Sequence, residues 1–299
     1  MVVFAAARVF NTVMSLSRMF SVLTAALFLA LAGAASANPR LHVEAMEYPW
    51  SAVGRVNVAG RRFCTGVLIS ERHVLTAAHC LWNPATRDWW PASSVHFVAG
   101  YQGGEAELHS LAASYKPADG WAPGKLEEDW AVAELEEPLG RTAGWVGIGK
   151  LSETSAAPLG QLGYRAESPH AMVLDYGCHL VSADQRFLWT DCEAARGDSG
   201  GPLFAFLPDG PRLLGIVIAA GHAGGQIATG AVSAAAFSDT KRFPGAAGIV
   251  AAIGKSGGHG PESGGMVSPQ PVSTVAALAQ GRGVPSTLAG LARLLSDMR

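Results

Sequence analysis

The sequence predicts an all-β protein, on two features of its central region. Between residues 50 and 240, short apolar runs are separated by Gly, Pro, Asn and Asp. The runs are rich in β-branched and aromatic residues, which pack well on a pleated, half-buried surface; examples are TGVLIS, SVHFVAG, WAVAEL, GPLFAFL and LLGIVIAAG. Many strands at such regular spacing are typical of a sandwich or a barrel.

Composition narrows the class of protein further. Of the 299 residues, 49% are apolar and 15% are charged, which is too apolar for a disordered chain and sufficient for a large core. The formal net charge is −2, and no run of Lys and Arg forms a stripe that would follow a phosphate backbone. The sequence therefore predicts no nucleic-acid partner.

Residues 1–37 have the layout of a secretory signal peptide. Two basic residues, Arg8 and Arg18, precede the apolar run FSVLTAALFLAL, and small residues follow at Ala35-Ser36-Ala37. An uncleaved anchor is the alternative, but the run is shorter than the ~20 residues that a membrane-spanning helix needs. We expect cleavage after Ala37 and a secreted or periplasmic protein with no stable membrane span.

The C-terminal part differs from the strand-rich region. GAAGIVAAIGK, which follows Pro244, predicts a short helix, and residues 256–272 are rich in Gly, Ser and Pro, which is typical of a linker. Residues 273–299 form a tail in which Leu288, Leu291, Leu294 and Leu295 recur at helical spacing. The tail's role and the oligomeric state stay open.

Export bears on the four cysteines, because thiols pair in an oxidising compartment. Three pairings are possible, and the separations of 16 and 14 residues favour two local bridges, Cys64–Cys80 and Cys178–Cys192. Zinc is the competing interpretation. The chain has no C-x-x-C pair, so we expect no metal and no cofactor.

The segment GDSGGPL, residues 197–203, is the strongest indication of catalysis. A serine hydroxyl needs a base to take its proton and donors to stabilise the oxyanion. Glycines beside Ser199 let the backbone turn so that successive N–H groups point to one place. The G-x-S-x-G pattern also occurs in α/β-hydrolases. That fold requires alternating strands and helices, which the sequence lacks here.

Two further segments supply candidate partners for the serine. VLTAAHCL places His79 after a strand-like run and beside Cys80, whose bridge would hold the imidazole of a general base in place. EEDWAVAEL places Asp129 just before an apolar strand, where a buried carboxylate would orient the histidine ring.

Together these segments resemble the trypsin/chymotrypsin family of serine peptidases. TAAHC, the Asp before an apolar strand, and GDSGGPL occur in the order His–Asp–Ser, and the resemblance extends over about residues 45–255. The run Asp191-Cys192-Glu193 and the compact second half are most similar to the bacterial glutamyl-endopeptidase-like branch. The resemblance implies a peptidase domain over residues 38–255, built as a double six-stranded β-barrel, acting on protein or peptide substrates.

The resemblance also implies residue roles. His79 would be general base and acid, Asp129 the orienting carboxylate and Ser199 the nucleophile, with the Gly197 and Ser199 amides as the oxyanion hole. The candidate specificity pocket comprises Glu193, Val217, Ala219 and Ala220. Glu193 lies six residues before Ser199, where an acidic residue can select basic side chains; the alternative is a loop carboxylate held by backbone N–H groups. Val217 stands where the glutamyl branch has a histidine, and the two alanines replace the Trp-Gly pair of trypsin, so these small apolar walls favour a modest apolar side chain.

Two questions remain open at this point. Asp198 occupies the place where trypsin-like enzymes pair a carboxylate with a new N-terminal ammonium. Signal cleavage would offer Asn38 for that role and cleavage behind Arg40 would offer Leu41, and we favour Leu41 because an apolar residue inserts into a pocket more readily than Asn does. The alternative is that Asp198 only braces the oxyanion loop. A binding or regulatory protein on the same scaffold is the competing function; such proteins usually lose a triad residue, and this chain keeps all three.

Overall fold

The computed structural model describes residues 40–106, 108–153, 157–223 and 226–237. The predicted helix after Pro244, the linker, the tail and residues 1–37 lie outside these residues. Within the described part, no helix is long and apolar enough to cross a membrane. The strands in chain order are β1 Arg40–His42, β2 Val53–Val58, β3 Arg62–Leu68, β4 His73–Thr76, β5 Trp82–Asn83, β6 Asp88–Trp89, β7 Val95–Ala99, β8 Leu108–Pro117, β9 Ala131–Leu135, β10 Gly147–Ile148, β11 Leu159–Arg165, β12 Ser168–Cys178, β13 Leu180–Ala183, β14 Phe187–Thr190, β15 Pro202–Leu207, β16 Gly210–Ala223 and β17 Gln226–Ser233.

The helical elements are single turns. They comprise the α-helical turns Ala78–Leu81, Gly140–Ala143 and Ala234–Phe237 and the 3₁₀ turns Trp50–Ala52, Ala92–Ser94 and Leu151–Glu153. The fold class is therefore all-β, as the strand-like runs predict.

Six strands of the first half close into a barrel in the order β2-β3-β4-β9-β8-β7. Closure leaves no unpaired strand edge, which removes a site for edge-to-edge aggregation. Alternating residues of β8 point inwards and outwards, as the period of two requires. Phe97, Leu75 and Trp130 fill the interior, each 2% exposed or less.

The second half forms a curled sheet in the order β1-β12-β11-β15-β16-β17-β14-β13, with β10 pairing in parallel with β16. Tyr164, Leu174 and Phe204 are fully buried here. A closed barrel followed by a curled half-barrel matches the double-barrel architecture that the resemblance implies, so that prediction is confirmed.

Both cysteine bridges are present, Cys64–Cys80 and Cys178–Cys192. These are the two local pairs that the spacings favour. The first joins β3 to the helical turn after β4, and the second joins the end of β12 to the segment after β14. Each bridge therefore fixes a loop next to the segments that carry the candidate functional residues.

Candidate active site

His79 and Asp129 are brought together by the pairing of two barrel strands. Antiparallel β4 and β9 place Thr76 opposite Ala131, so the residues that follow β4 lie beside those that precede β9. The His79 ring Nδ1 lies 2.7 Å from Asp129 Oδ2, and the His79 backbone N–H donates to Oδ1 at 2.8 Å. Asp129 is 7% exposed, so solvent hardly competes for the carboxylate that fixes the orientation of the His79 ring.

Trp121 supplies a third donor to the same carboxylate. Its indole Nε1–H donates to Asp129 Oδ1 at 3.1 Å. The Trp121 ring packs against Trp89 at 4.7 Å and Trp82 at 5.3 Å between centroids, which holds the indole in place. Sequence reasoning missed Trp121, because a tryptophan in a Gly- and Pro-containing loop gives no sign of the group to which its N–H donates.

Ser199 lies against β3 and the first disulfide. The Thr65 backbone N–H donates to the Ser199 carbonyl at 2.9 Å, and Cys80 Sγ lies 4.0 Å from the same oxygen. Because Cys80 follows His79 directly in the chain, these contacts place the Ser199 segment beside the His79–Asp129 pair. The three residues that the motifs single out are therefore neighbours in one region.

The backbone around Ser199 requires glycine. Gly197 and Gly200 have φ angles of +101° and +80°, which L-residues with a side chain rarely adopt. A Cβ at Gly200 would lie 2.2 Å from the Thr65 carbonyl oxygen. The glycines of GDSGGPL thus permit both the turn and its close approach to β3.

Some backbone amides of the turn around Ser199 are hydrogen-bonded within the protein and two are not. The Asp198, Gly200 and Gly201 N–H groups donate to the carbonyls of Ala195, Val217 and Asp198 at 3.1, 2.6 and 2.8 Å. Within the described ranges, the Gly197 and Ser199 N–H groups donate to no protein acceptor. Two unpaired amides in one turn form a concavity that stabilises an anion.

A buried ion-pair network supports this turn from behind. Asp198 Oδ2 accepts from Arg165 Nε at 3.0 Å, Gln161 Nε2 at 3.1 Å and the Ala195 N–H at 2.9 Å. Arg165 Nη2 also donates to Asp175 Oδ2 at 2.9 Å. The side chains of Arg165, Asp175 and Asp198 are at most 3% exposed. The serine turn is therefore tied to β11 and β12 through charges that water does not screen.

Burial and pairing act in opposite directions on these groups. The net pKa of Asp198 is raised to about 6, because the effect of burial exceeds the opposing effect of the Arg165 guanidinium. Burial raises the pKa of Asp175 as well, again opposed by Arg165. For Arg165 burial favours the neutral form, but the two carboxylates outweigh it and raise the pKa. Arg165 is thus the buried cation that the two acids share.

The N-terminal strand does not bring a terminal ammonium to Asp198 in this structure. Leu41 lies inside β1, opposite Leu174 of β12, and is 8% exposed. The Arg40 side chain pairs with Asp175 at 3.5 Å and also with Glu193. With the chain intact at Arg40, the counter-ion of Asp198 is Arg165.

The predicted pocket residues lie on two adjoining segments: Glu193 on the segment after β14, and the others on β16. Val217 exchanges backbone hydrogen bonds with Gly200 and Gly201, so β16 runs directly beside the serine turn. Ala219 is partly buried and Ala220 exposed, while Glu193 pairs with Arg40. Thr229, which sequence reasoning missed, joins the two segments. Its hydroxyl donates to the Cys192 carbonyl at 2.7 Å and accepts from the Ala194 N–H at 3.0 Å.

One group of potential metal ligands occurs in this region. Cys64, His79 and Cys80 offer atoms within 4.8 Å of one another. Both sulfurs belong to the Cys64–Cys80 disulfide, so neither is the thiolate that zinc requires.

Comparisons with known proteins agree with this geometry. The family model described as Trypsin matches residues 41–240. A glutamyl endopeptidase of Bacillus licheniformis is 25% identical over 162 residues, covering 52% of this chain and 49% of the relative. Human serine protease 23 is 25% identical over 187 residues, covering 53% and 46%. The chain thus spans about half the length of these curated relatives.

A solved structure shares the fold. The structure of a Glu endopeptidase in complex with MPD superposes with a TM-score of 0.58 at 20% identity. The match covers 67% of this chain and 92% of the other. At this identity the likeness concerns the fold alone. The similarity to the glutamyl-endopeptidase branch that the sequence indicates is confirmed by the curated relative and the solved structure together.

Proposed function

The chain belongs to the trypsin family of serine peptidases, and from this premise we propose that it is a secreted endopeptidase that cleaves peptide bonds through an acyl-enzyme. The observation that supports this most strongly is the His79–Asp129 pair beside a serine turn with two open amides. His79 would serve as base and acid, Asp129 would orient it, and Ser199 would be the nucleophile.

Acylation uses each group once. Ser199 Oγ attacks the substrate carbonyl carbon while His79 Nε2 takes the hydroxyl proton, and the carbonyl π electrons move to oxygen. The resulting oxyanion accepts hydrogen bonds from the Gly197 and Ser199 N–H groups. Collapse breaks the C–N bond, and the His79 proton goes to the leaving amine.

Deacylation repeats the sequence with water. His79 takes a proton from the water that attacks the ester carbonyl, and the same amides bind the second oxyanion. The ester C–O bond then breaks, the carboxylic acid product forms, and Ser199 Oγ recovers its proton from His79. Asp129 stays ionised throughout, and it stabilises the imidazolium of each step.

For the residue N-terminal to the cleaved bond, we propose a modest apolar side chain. Ala219 and Ala220 offer no charge, and Glu193 is engaged by Arg40, which weakens it as a partner for a basic substrate side chain. The position of Val217 lacks the histidine of the glutamyl branch. A cleavage profile on a peptide library tests this, and a strict preference for Arg, Lys or Glu would contradict it.

Secretion is proposed on two grounds. The first is the signal-like layout of residues 1–37. The second is the pair of disulfides, which persist in oxidising compartments and rarely in reducing ones.

A serine-directed fluorophosphonate tests the nucleophile directly. We expect one covalent adduct per chain, located on Ser199, in the intact mass of the mature protein. Ser199→Ala protein is the control and should gain no mass. A correctly folded wild-type chain that stays unlabelled would instead support a catalytically silent binding protein. The same spectrum reports removal of residues 1–37 and any loss of the tail.

The Trp121 contact gives a separate prediction. Trp121→Phe keeps an aromatic ring in the cluster with Trp82 and Trp89 but removes the N–H that donates to Asp129. Because a hydrogen bond to a charged group contributes about 1.5–3 kcal/mol, we expect kcat to fall about ten-fold or more with KM nearly unchanged. Steady-state kinetics on one peptide substrate measures both constants.

Trp89→Phe is the matched control, since Trp89 shares the cluster without contacting Asp129. Its kcat should stay within about two-fold of wild type. Equal losses in the two variants would show that Trp121 acts only through packing. A rise in KM with unchanged kcat would likewise exclude a role for Trp121 in positioning Asp129.

A further inference from the structure

A second candidate binding site lies on the hairpin formed by β2 and β3. An open cavity of about 430 Å³ is lined there by three arginines, Arg55, Arg61 and Arg62, together with Phe63 and His96. No Asp or Glu lines it. The cavity is therefore a cationic site formed by one hairpin and the adjoining strand β7.

The three arginines lack carboxylate partners. Among the described residues, none of the three forms an ion pair, whereas Arg40, Arg141, Arg165, Arg186 and Arg212 each pair with at least one acid. Arg55 Nη1 donates to the Pro169 carbonyl at 2.9 Å, and its buried Nε has no hydrogen-bond partner. A ligand carboxylate would supply the missing acceptors and charge.

Aromatic contacts hold Arg55 in position. Its guanidinium carbon lies 4.1 Å from the centroid of the Phe63 ring and 4.7 Å from that of Tyr101. Stacking of this kind fixes the planar donor fork, so less side-chain entropy is lost when a carboxylate binds. Burial without an acidic partner also lowers the pKa of Arg62, a cost that a bound anion would relieve.

The cavity adjoins the proposed catalytic groups. Arg62 Nη2 donates to the His79 carbonyl at 2.5 Å. Phe63 forms the wall next to the oxyanion turn, since a Cβ added at Gly197 would lie 2.7 Å from its ring. Strand β16, which borders the pocket for the residue N-terminal to the cleaved bond, instead contacts the turn through Gly200 and Gly201. The cavity thus reaches the turn through Gly197 and faces the leaving part of the substrate.

From this geometry we propose that the Arg55–Arg61–Arg62 cavity is a subsite for an Asp or Glu side chain of the substrate, within about three residues C-terminal to the cleaved bond. The inference rests on the proposed peptidase function for its position, and on the unpaired arginines for its chemistry. It adds a preference for acidic leaving segments to the apolar preference on the other side of the bond.

Matched peptides test the subsite. Each pair carries Glu or Gln at one of the three positions after the cleaved bond and is otherwise identical. We expect kcat/KM to favour Glu by about five-fold at one position. The preference should shrink as ionic strength rises from about 0.01 M to about 1 M, because the Debye length falls. Equal cleavage of Glu and Gln at all three positions would overturn the proposal.

Variants assign the preference to the cavity. Arg61 is exposed, so Arg61→Gln leaves the packing intact, and the double variant Arg55→Gln/Arg61→Gln removes a second charge. We expect the Glu preference to fall with each step while kcat/KM for the Gln peptide stays unchanged. Arg87→Gln is the control, since it removes the same charge from an exposed turn elsewhere. An unchanged preference in the double variant would refute the assignment.

Measurements of peptide affinity test the subsite independently of the proposed catalytic activity. Fluorescence polarisation on Ser199→Ala protein measures the affinity of labelled acidic and amide peptides without turnover. Tighter binding of the acidic peptide, lost in the Arg55→Gln/Arg61→Gln background, supports the subsite even if wild-type protein hydrolyses nothing. Equal affinities contradict it even if the wild-type protein is an active peptidase.

Discussion

Ser199→Ala should lower kcat for peptide hydrolysis by about 10⁶-fold, and His79→Ala should lower it by nearly as much. The reason is that the hydroxyl and the imidazole act as one unit, so loss of either removes the covalent route. We therefore expect the double variant to be no slower than either single variant. Long-incubation assays with a fluorogenic peptide measure the residual rates.

The pattern of the losses is more informative than their size. Substitutions that act independently multiply their effects, whereas members of one catalytic unit do not. A double variant much slower than both single variants would contradict the assignment of His79 as the base for Ser199. Melting temperatures within a few degrees of wild type show that each variant is folded.

Arg165→Met should be the most destabilising single substitution among the charged residues of the second sheet. It leaves Asp198 buried without its cation and Asp175 with only the half-exposed Arg40 at 3.5 Å, and uncompensated buried charge costs about 3–5 kcal/mol. Since Asp198 directly precedes Ser199, we also expect kcat to fall more than ten-fold as the oxyanion turn loses its brace. Urea unfolding and steady-state kinetics measure the two effects.

The pH dependence of this loss has a definite sign. Without Arg165, the pKa of Asp198 rises above its wild-type value of about 6, and above the value of about 4 in the unfolded chain. Between about pH 4 and pH 6, both folded chains hold a proton that the unfolded chain does not, so their stabilities fall together as pH rises. Above about pH 6 only the folded variant still holds this proton, so the stability of the variant relative to wild type falls as pH rises through neutrality. A deficit larger at pH 5 than at pH 8 would contradict the proposed role of Arg165.

Two variants control for charge and site. Arg165→Lys keeps the cation and should recover part of both losses, although it lacks the donor fork that contacts Asp198 and Asp175 at once. Arg141→Met removes an arginine from an exposed pair with Glu71 and should cost less than about 1 kcal/mol. Equal destabilisation by Arg141→Met and Arg165→Met would show that the buried network contributes no more to the free energy of unfolding than an exposed ion pair does.

Prediction from sequence succeeded where a local pattern carries the information. Alternating apolar runs indicate strands because side chains on a strand point to opposite faces in turn. GDSGGPL predicts a tight turn because Gly197 and Gly200 permit φ angles that other residues avoid. The cysteine pairs were favoured by spacing because both bridges are local in the chain.

Prediction from sequence failed for partners that no motif marks. Trp121 donates to Asp129 from a loop eight residues away, and Arg165 reaches Asp198 across 33 residues. Neither residue stands in a motif. The sequence also does not show that Asp198 pairs with an internal arginine, Arg165 on β11, in the intact chain. Likewise, the Arg55–Arg61–Arg62 cavity has no acidic neighbour, a fact that only the packing of β2, β3 and β7 reveals.

The amino-acid sequence by itself determined the all-β class, the glycine-dependent serine turn and the order of His79, Asp129 and Ser199, because local backbone preferences and short-range patterns set these. Only the tertiary structure decided which charges are paired. Whether Arg165 is satisfied and Arg61 is not depends on which strands become neighbours, and that follows from the burial of the whole apolar surface, which no single segment encodes.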